Sequence, residues 1–173
     1  IQKLTGCVAA LSRFISRLGE KALPLYRLLR RTEHFEWTDA ATAGLEEIKA
    51  ILATNPVLAA RNLGEPMLLY IAATHQVVSA VLVVEREIEG HKFPPQKPVY
   101  YVSTVLTPCK SRYPHYQKIA YAVFMASRKL LHYFQECSIT VASEVPLNDI
   151  INNRDATGRI AKWAIELLPF DIT

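Results

Sequence analysis

Over residues 2–17 the apolar side chains Leu4, Val8, Leu11 and Ile15, followed by Leu18, recur at steps of three and four, one stripe of an amphipathic helix, and Gly19 is its expected stop. Pro24 suits a first helical turn and opens a second short helix running through Leu28 and Leu29. Trp37-Thr38-Asp39 opens a third. Thr38 or Asp39 caps its unpaired N–H groups, Leu45, Ile48, Ile51 and Leu52 form its buried stripe, and Asn55-Pro56 ends it. Residues 1–55 therefore read as a small helical unit, and 56–66 as an extended connection.

The hydrophobic period then changes. Residues 67–71 and 77–84 are rich in β-branched and large apolar side chains and flank the polar Thr74-His75-Gln76, which predicts a hairpin. Residues 85–98 form a polar, proline-bearing turn before a third strand over 99–105. Over 116–134, Ile119, Ala120, Val123, Phe124, Leu130, Leu131 and Phe134 make a wide apolar stripe, a single long helix made to lie on a sheet. A strand over 138–142 and helices over 147–151 and 159–168 complete the order β-β-β-α-β-α. That order implies an α/β (α+β) fold, a mixed sheet with flanking helices over residues 67–173. No apolar run approaches the roughly 20 residues of a membrane span, so no membrane partner is expected.

Half of the 173 residues are apolar, the composition of a globular protein. The formal net charge of +4 is unevenly spread. Residues 1–31 carry Lys3, Arg13, Arg17, Lys21, Arg27, Arg30 and Arg31 against the single acid Glu20, whereas acids dominate 32–66. The basic end is where a polyanion is expected to dock. The string Lys110, Arg112, Tyr113, His115, Tyr116, Lys118 has the chemistry to grip a phosphate backbone and stack a base, and reads equally as the polar approach to a helix. Cys7, Cys109 and Cys137 are odd in number and lack a C-x-x-C pair, so neither a disulfide framework nor a zinc site is expected and a reducing, intracellular compartment fits. The five histidines (His34, His75, His91, His115, His132) contain no i, i+4 pair, and Ser103, Ser111 and Cys109 have no nucleophile motif around them. Starting at Ile1 without a leader pattern, the chain reads as a piece of a longer polypeptide.

The segments RFI, PLYRLL, FEWT, GLEEIKAIL and PVL, in that order, resemble the thumb and following linker of gypsy-type LTR retrotransposon reverse transcriptases. The blocks PMLLYIAATHQVVSAVLVVE, KPVYYVSTVLTPCKSRYPHYQKIAYAVFMASRKLLHYF, SITVASEVPLNDII and GRIAKWAIELLPFDI resemble the RNase H-like domain that follows it. The resemblance spans essentially the whole chain. It implies a parent polyprotein that copies RNA into DNA, with the polymerase palm and fingers upstream as partners. It also implies a thumb that closes on an RNA–DNA or DNA duplex through phosphates, with Arg13, Arg17, Lys21, Arg27, Arg30 and Arg31 as candidate contacts and Lys110 and Arg112 as further ones.

RNase H chemistry uses two Mg²⁺ ions about 4 Å apart, which need clustered carboxylates. Family members with activity read T-D-A-S-D-Y-G-I-G-A-V-L in the first strand, E-K-E-L-L-A-I in the long helix and T-D-x-x-P-L in the fourth strand. Their carboxylate positions fall on Ala72, Ile119 and Ser143. No acid lies between Glu65 and Glu85 or between Glu89 and Glu136, so neither element offers a carboxylate in any register. The leading expectation is a non-catalytic, connection-like RNase H fold without cofactor, Mg²⁺ belonging only to catalytic parts of the parent. In some plant gypsy-type lineages a second RNase H downstream would free this copy from catalysis. Two alternatives stay open: an active Mg²⁺-dependent nuclease with relocated ligands, Glu144 or Asp149 with Glu85, Glu87 or Glu89, and a host-recruited or decayed interaction module.

Overall fold

The computed structural model describes residues 1–29, 36–54, 57–87, 89–90, 92–151 and 158–173. Its centre is a sheet of order β3-β2-β1-β4, formed by β1 (Met67–Ala73), β2 (Val77–Glu85), β3 (Gln96–Val105) and β4 (Ile139–Ala142). The first three strands are antiparallel neighbours and β4 joins β1 in parallel, so the expected mixed sheet is what forms. Strand alternation sends Met67, Leu69, Val78, Ala80, Leu82 and Val84 to one face, where they are buried with Ile119, Ala122, Val123 and Ala126 of the principal helix. Each of the larger of these side chains, valine, leucine, isoleucine or methionine, contributes about 1.5–3 kcal/mol on burial.

Two expectations for this half are corrected. β3 begins at Gln96 and so runs through Pro98, which the polar turn was expected to include. A proline without an N–H is tolerated there because β3 is an edge strand and its register with β2 skips between Leu82 and Val83. After the short α5 (Pro108–Ser111), which no periodicity announces, the single long helix is two: α6 (His115–Lys129) and α7 (Leu131–Glu136). Between them Leu130 leaves helical geometry at φ −114°, ψ 34°, and both it and Phe134 are buried. The helices α8 (Leu147–Ile151) and α9 (Arg159–Leu167) follow as expected. Residues 171–173 then run beside β4, with Ile172 paired in parallel to Ile139.

The helical unit comprises α1 (Gln2–Ala10), a 3-10 turn (Ser12–Phe14), α2 (Leu18–Lys21), α3 (Leu23–Leu29) and α4 (Asp39–Ala53). It has its own buried cluster, in which Val8, Ile15, Leu18, Leu25 and Ile48 meet. The helix expected over 2–17 stops at Ala10, and the chain passes through extended Ile15 and left-handed Arg17 (φ 53°, ψ 34°). Gly19 therefore does not end a helix. It lies buried inside α2, its N–H donating to Ser103 Oγ of β3 at 2.9 Å. Thr38 caps α4, its hydroxyl accepting from Ala41 N at 3.3 Å, a contact worth about 1 kcal/mol. Asn55-Pro56 lies outside the described residues.

The connection is clamped along its length. Ala59 N donates to Pro98 O at 2.8 Å, Arg61 pairs with Glu136 and lies over the Tyr133 ring, and Arg86 Nε donates to Glu65 Oε1 at 2.8 Å while a second nitrogen of Arg86 reaches Ala60 O. The Arg86 guanidinium, with Asn62 N donating to the same carboxylate, holds the Glu65 pKa down at about 2. Because the folded-state pKa lies below the unfolded one, this stabilisation is present above about pH 4.5 and fades as pH falls towards about 2. Urea midpoints measured from pH 5 to pH 2 should fall more steeply for the native chain than for Glu65→Gln, and parallel curves would remove Glu65 from the acid response.

Candidate nucleic-acid interface

Strand pairing decides where the carboxylate positions of the resembled enzymes fall. In β1 the residues packed towards α6 are Met67, Leu69, Ile71 and Ala73, so Ala72, exposed and paired with Ser79, is turned to the other face of the sheet. Ile119 is buried in the α6 core, and Ser143 follows β4, beside a small apolar groove of about 300 Å³. Of these three positions, Ala72 is thus the one turned away from α6. At the first turn of α6 a different group points inward: Lys118 is buried and its ammonium donates to His75 O in the β1–β2 turn at 3.3 Å.

The same registers separate one pair of the relocated-ligand alternative, Glu85 and Glu144. Leu68 pairs with Val83, which puts Glu85 beyond the first end of β1, whereas Tyr70 pairs with Ala142, which puts Glu144 at its last end. At about 3.3 Å per residue those ends are roughly 20 Å apart. Carboxylates so separated cannot share a two-ion site. Glu85 instead accepts from Gln96 Nε2 at 2.8 Å.

The basic residues do not form one uniform stripe. Arg13 lies over the rings of Phe14 (5.2 Å) and Tyr100 of β3 (5.1 Å), tying the 3-10 turn to the sheet. Arg17 pairs with Glu20 at 2.6 Å but stays well exposed. Lys21 is directed inward, donating to Ser16 O at 3.1 Å and standing 3.6 Å from Glu47. Arg27 is exposed and reaches Gln76 Oε1 at 2.9 Å. Lys110 donates to the Tyr121 hydroxyl at 2.8 Å, and Arg112 is exposed. Arg30 and Arg31, like His34 and His91, lie outside the described residues.

The helical unit meets the sheet around a cleft of about 700 Å³. Gly19, Tyr26 and Arg27 line one side, and Ser103, Thr104 and Lys129 the other. Lys129 donates to Ser103 O (3.2 Å) and Thr104 Oγ1 (2.9 Å), and desolvation lowers its pKa from the ordinary lysine value although the side chain keeps contact with solvent. Burial raises the Tyr26 phenol. Sequence reading missed Ser103, Thr104 and Lys129, since no local pattern says that residues 19 and 103 will touch.

A family model described as the RNase H-like domain found in reverse transcriptase matches residues 37–141. The chain belongs to that family. Two curated relatives of this RNase H-like chain, the Transposon Tf2-3 and Tf2-4 polyproteins of Schizosaccharomyces pombe, are 25% identical to it over 182 residues, which covers 99% of the chain and 13% of each relative. The chain thus spans a small part of the curated relatives it matches. Among solved structures, the foamy viral protease-reverse transcriptase in complex with RNA/DNA hybrid superposes with a TM-score of 0.74 at 21% identity, covering 99% of this chain and 24% of that one. The same viral protein in complex with dsDNA gives 0.70 at 21% identity, covering 99% and 36%. At such identities the likeness shows the fold. The two-ion chemistry of active RNases H does not fit the donors of this RNase H-like chain: β1 and α6 hold no carboxylate. Among the described residues no three His, Cys, Asp or Glu side chains gather as a metal-binding group.

Proposed function

We propose that this chain is the non-catalytic, connection-like part of a gypsy-type retrotransposon reverse transcriptase, and that it supports the template–primer duplex through phosphate contacts. The observation that carries the reading is an intact apolar core around β1 and α6, two elements that should each bring a carboxylate to the metals and bring none. The Tf2 relatives are polyproteins, and the viral proteins of like fold carry RNA/DNA hybrid or dsDNA, which supports a duplex as partner. In this reading polymerisation and Mg²⁺ belong to other parts of the parent, a second RNase H of the kind found in plant lineages does the cleaving, and the protein works inside the cell. Arg17, Arg27 and Arg112 are exposed cations that fit phosphate contacts.

A labelled RNA–DNA hybrid tests both halves of the proposal. With Mg²⁺ or Mn²⁺ the chain should leave the RNA strand intact, and cleavage that scales with purified protein would sink the non-catalytic half. Binding should be indifferent to base sequence, since phosphate contacts carry no base information. Three such contacts imply a log–log salt slope of about −3. Combined charge reversal at Arg17 and Arg112 should flatten that slope, and an unchanged affinity in the reversed chain would remove these residues from the interface.

A further inference from the structure

The junction cleft has a chemistry of its own. Of the described residues lining it, Arg27 and Lys129 are charged and none is an aspartate or glutamate. The two cations come from different parts of the fold, Arg27 from α3 of the helical unit and Lys129 from the last turn of α6 beneath the sheet. Each is held in place by neutral acceptors: Arg27 by Gln76, Lys129 by Ser103 O and Thr104 Oγ1. Arg27 has N–H groups beyond the one on Gln76, in the fork geometry that suits phosphate oxygens. The hydroxyls of Ser103 and Thr104 each accept one hydrogen bond from the protein, from Gly19 N and Lys129 Nζ, which leaves their own protons to donate. Apart from Ser12 and Ser111, the rest of the wall is apolar or aromatic, with Leu23, Leu106 and Tyr26 among it. Two cations with no carboxylate among the described lining residues favour an anion, and an apolar stretch of wall beside them favours an anion with a flat organic body.

We propose that the cleft between the helical unit and β3 binds a nucleotide, its phosphate held between Arg27 and Lys129 and its base against the Leu23, Tyr26 and Leu106 wall. The phosphate can arrive on a free nucleotide or on a nucleotide of a single strand, and the site asks the same chemistry of both. Because the ligand touches the helical unit and the sheet at once, its binding ties the two together and raises the stability of the whole chain. The inference does not depend on duplex binding at Arg17 and Arg112.

The test uses the full chain, with ADP as one probe and a short single-stranded oligodeoxynucleotide as the other. Isothermal titration of at least one of them should show saturable binding, and amide NMR shifts should concentrate at Gly19, Ser103 and Thr104. Arg27→Gln and Lys129→Gln should each weaken that binding about tenfold or more, the loss expected for a charged hydrogen-bonding partner, whereas Lys129→Arg should keep most of it and Lys49→Gln, on exposed α4, should change nothing. Thermal melts of each variant separate loss of binding from loss of fold. Binding of ADP alone identifies a free nucleotide as the source, and binding of the oligonucleotide alone identifies a strand. Saturation by neither probe, amide shifts confined to other surfaces, or equal affinity in folded Arg27→Gln and Lys129→Gln chains would each overturn the proposal. Failure of the hybrid-binding experiment with ADP binding intact would leave this site standing and remove only the duplex reading.

Discussion

Phe134→Ala is expected to destabilise the chain by about 3–5 kcal/mol, the range for deleting a fully buried aromatic side chain. Phe134 is 2% exposed and stands edge-on to Phe170 with ring centroids 5.6 Å apart. Its position depends on the break at Leu130, and Phe170 immediately precedes the residues that pair with β4. A cavity here therefore loosens α7 and the outer sheet border together, and the surroundings have little freedom to collapse into it. Urea denaturation gives the difference directly. A loss below about 1.5 kcal/mol, nearer the scale of trimming one methyl group, would mean that α7 is not part of the core.

Gly19→Val should act on the junction instead. A Cβ at residue 19 would stand 2.6 Å from Ser103 Oγ and 2.8 Å from Val77 Cγ1, closer than such atoms approach, so α2 must move off β3 or the strand must yield. Overpacking of this kind costs about 1–3 kcal/mol. Breaking the hydrogen bond from Gly19 N to Ser103 Oγ adds about 0.5–1.5 kcal/mol. Amides of residues 1–29 should then exchange faster with solvent while those of β1 and β2 keep most of their protection. Gly6→Ala is the matched control: it also lies in a helix, a Cβ there meets nothing within 4 Å, and alanine should raise stability by about 0.5–1 kcal/mol. Equal effects at the two glycines would show that the approach of α2 to β3 is not a stabilising contact.

These two sites mark what could be read from the sequence and what could not. Strand positions were legible because β-branched runs and a period of two survive whatever packs against them; β2 begins at Val77 as expected and runs one residue further, to Glu85. The burial of Val8, Ile15 and Leu18 was legible too, since all three belong to the predicted stripe, yet the helix through them was not. Apolar spacing determines which side chains go inside, and the path between them bends to meet a surface some 84 residues away in sequence. Gly19 read as a terminator because glycine at a helix end is common, and nothing local distinguishes that use from close approach to another backbone. The charges divide in the same way. An excess of cations in residues 1–31 is visible in the sequence, but only the folded chain turns Lys21 inward, lays Arg13 on Tyr100 and leaves Arg17 and Arg27 outside. Absent carboxylates in β1 and α6 needed no structure, whereas the orientation of Ala72 away from α6 and the distance between Glu85 and Glu144 followed from strand register.

β3 is the outermost strand on its side of the sheet, and the 3-10 turn and α2, from earlier in the chain, pack on it, with Ala59 on Pro98 O, while Lys129 on Ser103 O and Tyr133 against Tyr100 come from later. An outer strand stripped of such cover presents a ladder of unpaired N–H and C=O groups to any other extended chain. A version shortened to residues 57–173 would keep every buried side chain of its own core and still expose that ladder, and in the crowded setting of synthesis its copies would meet each other along it. Through the 3-10 turn and α2, the first fifty or so residues therefore leave less of that ladder open to a second extended chain than the shortened version would.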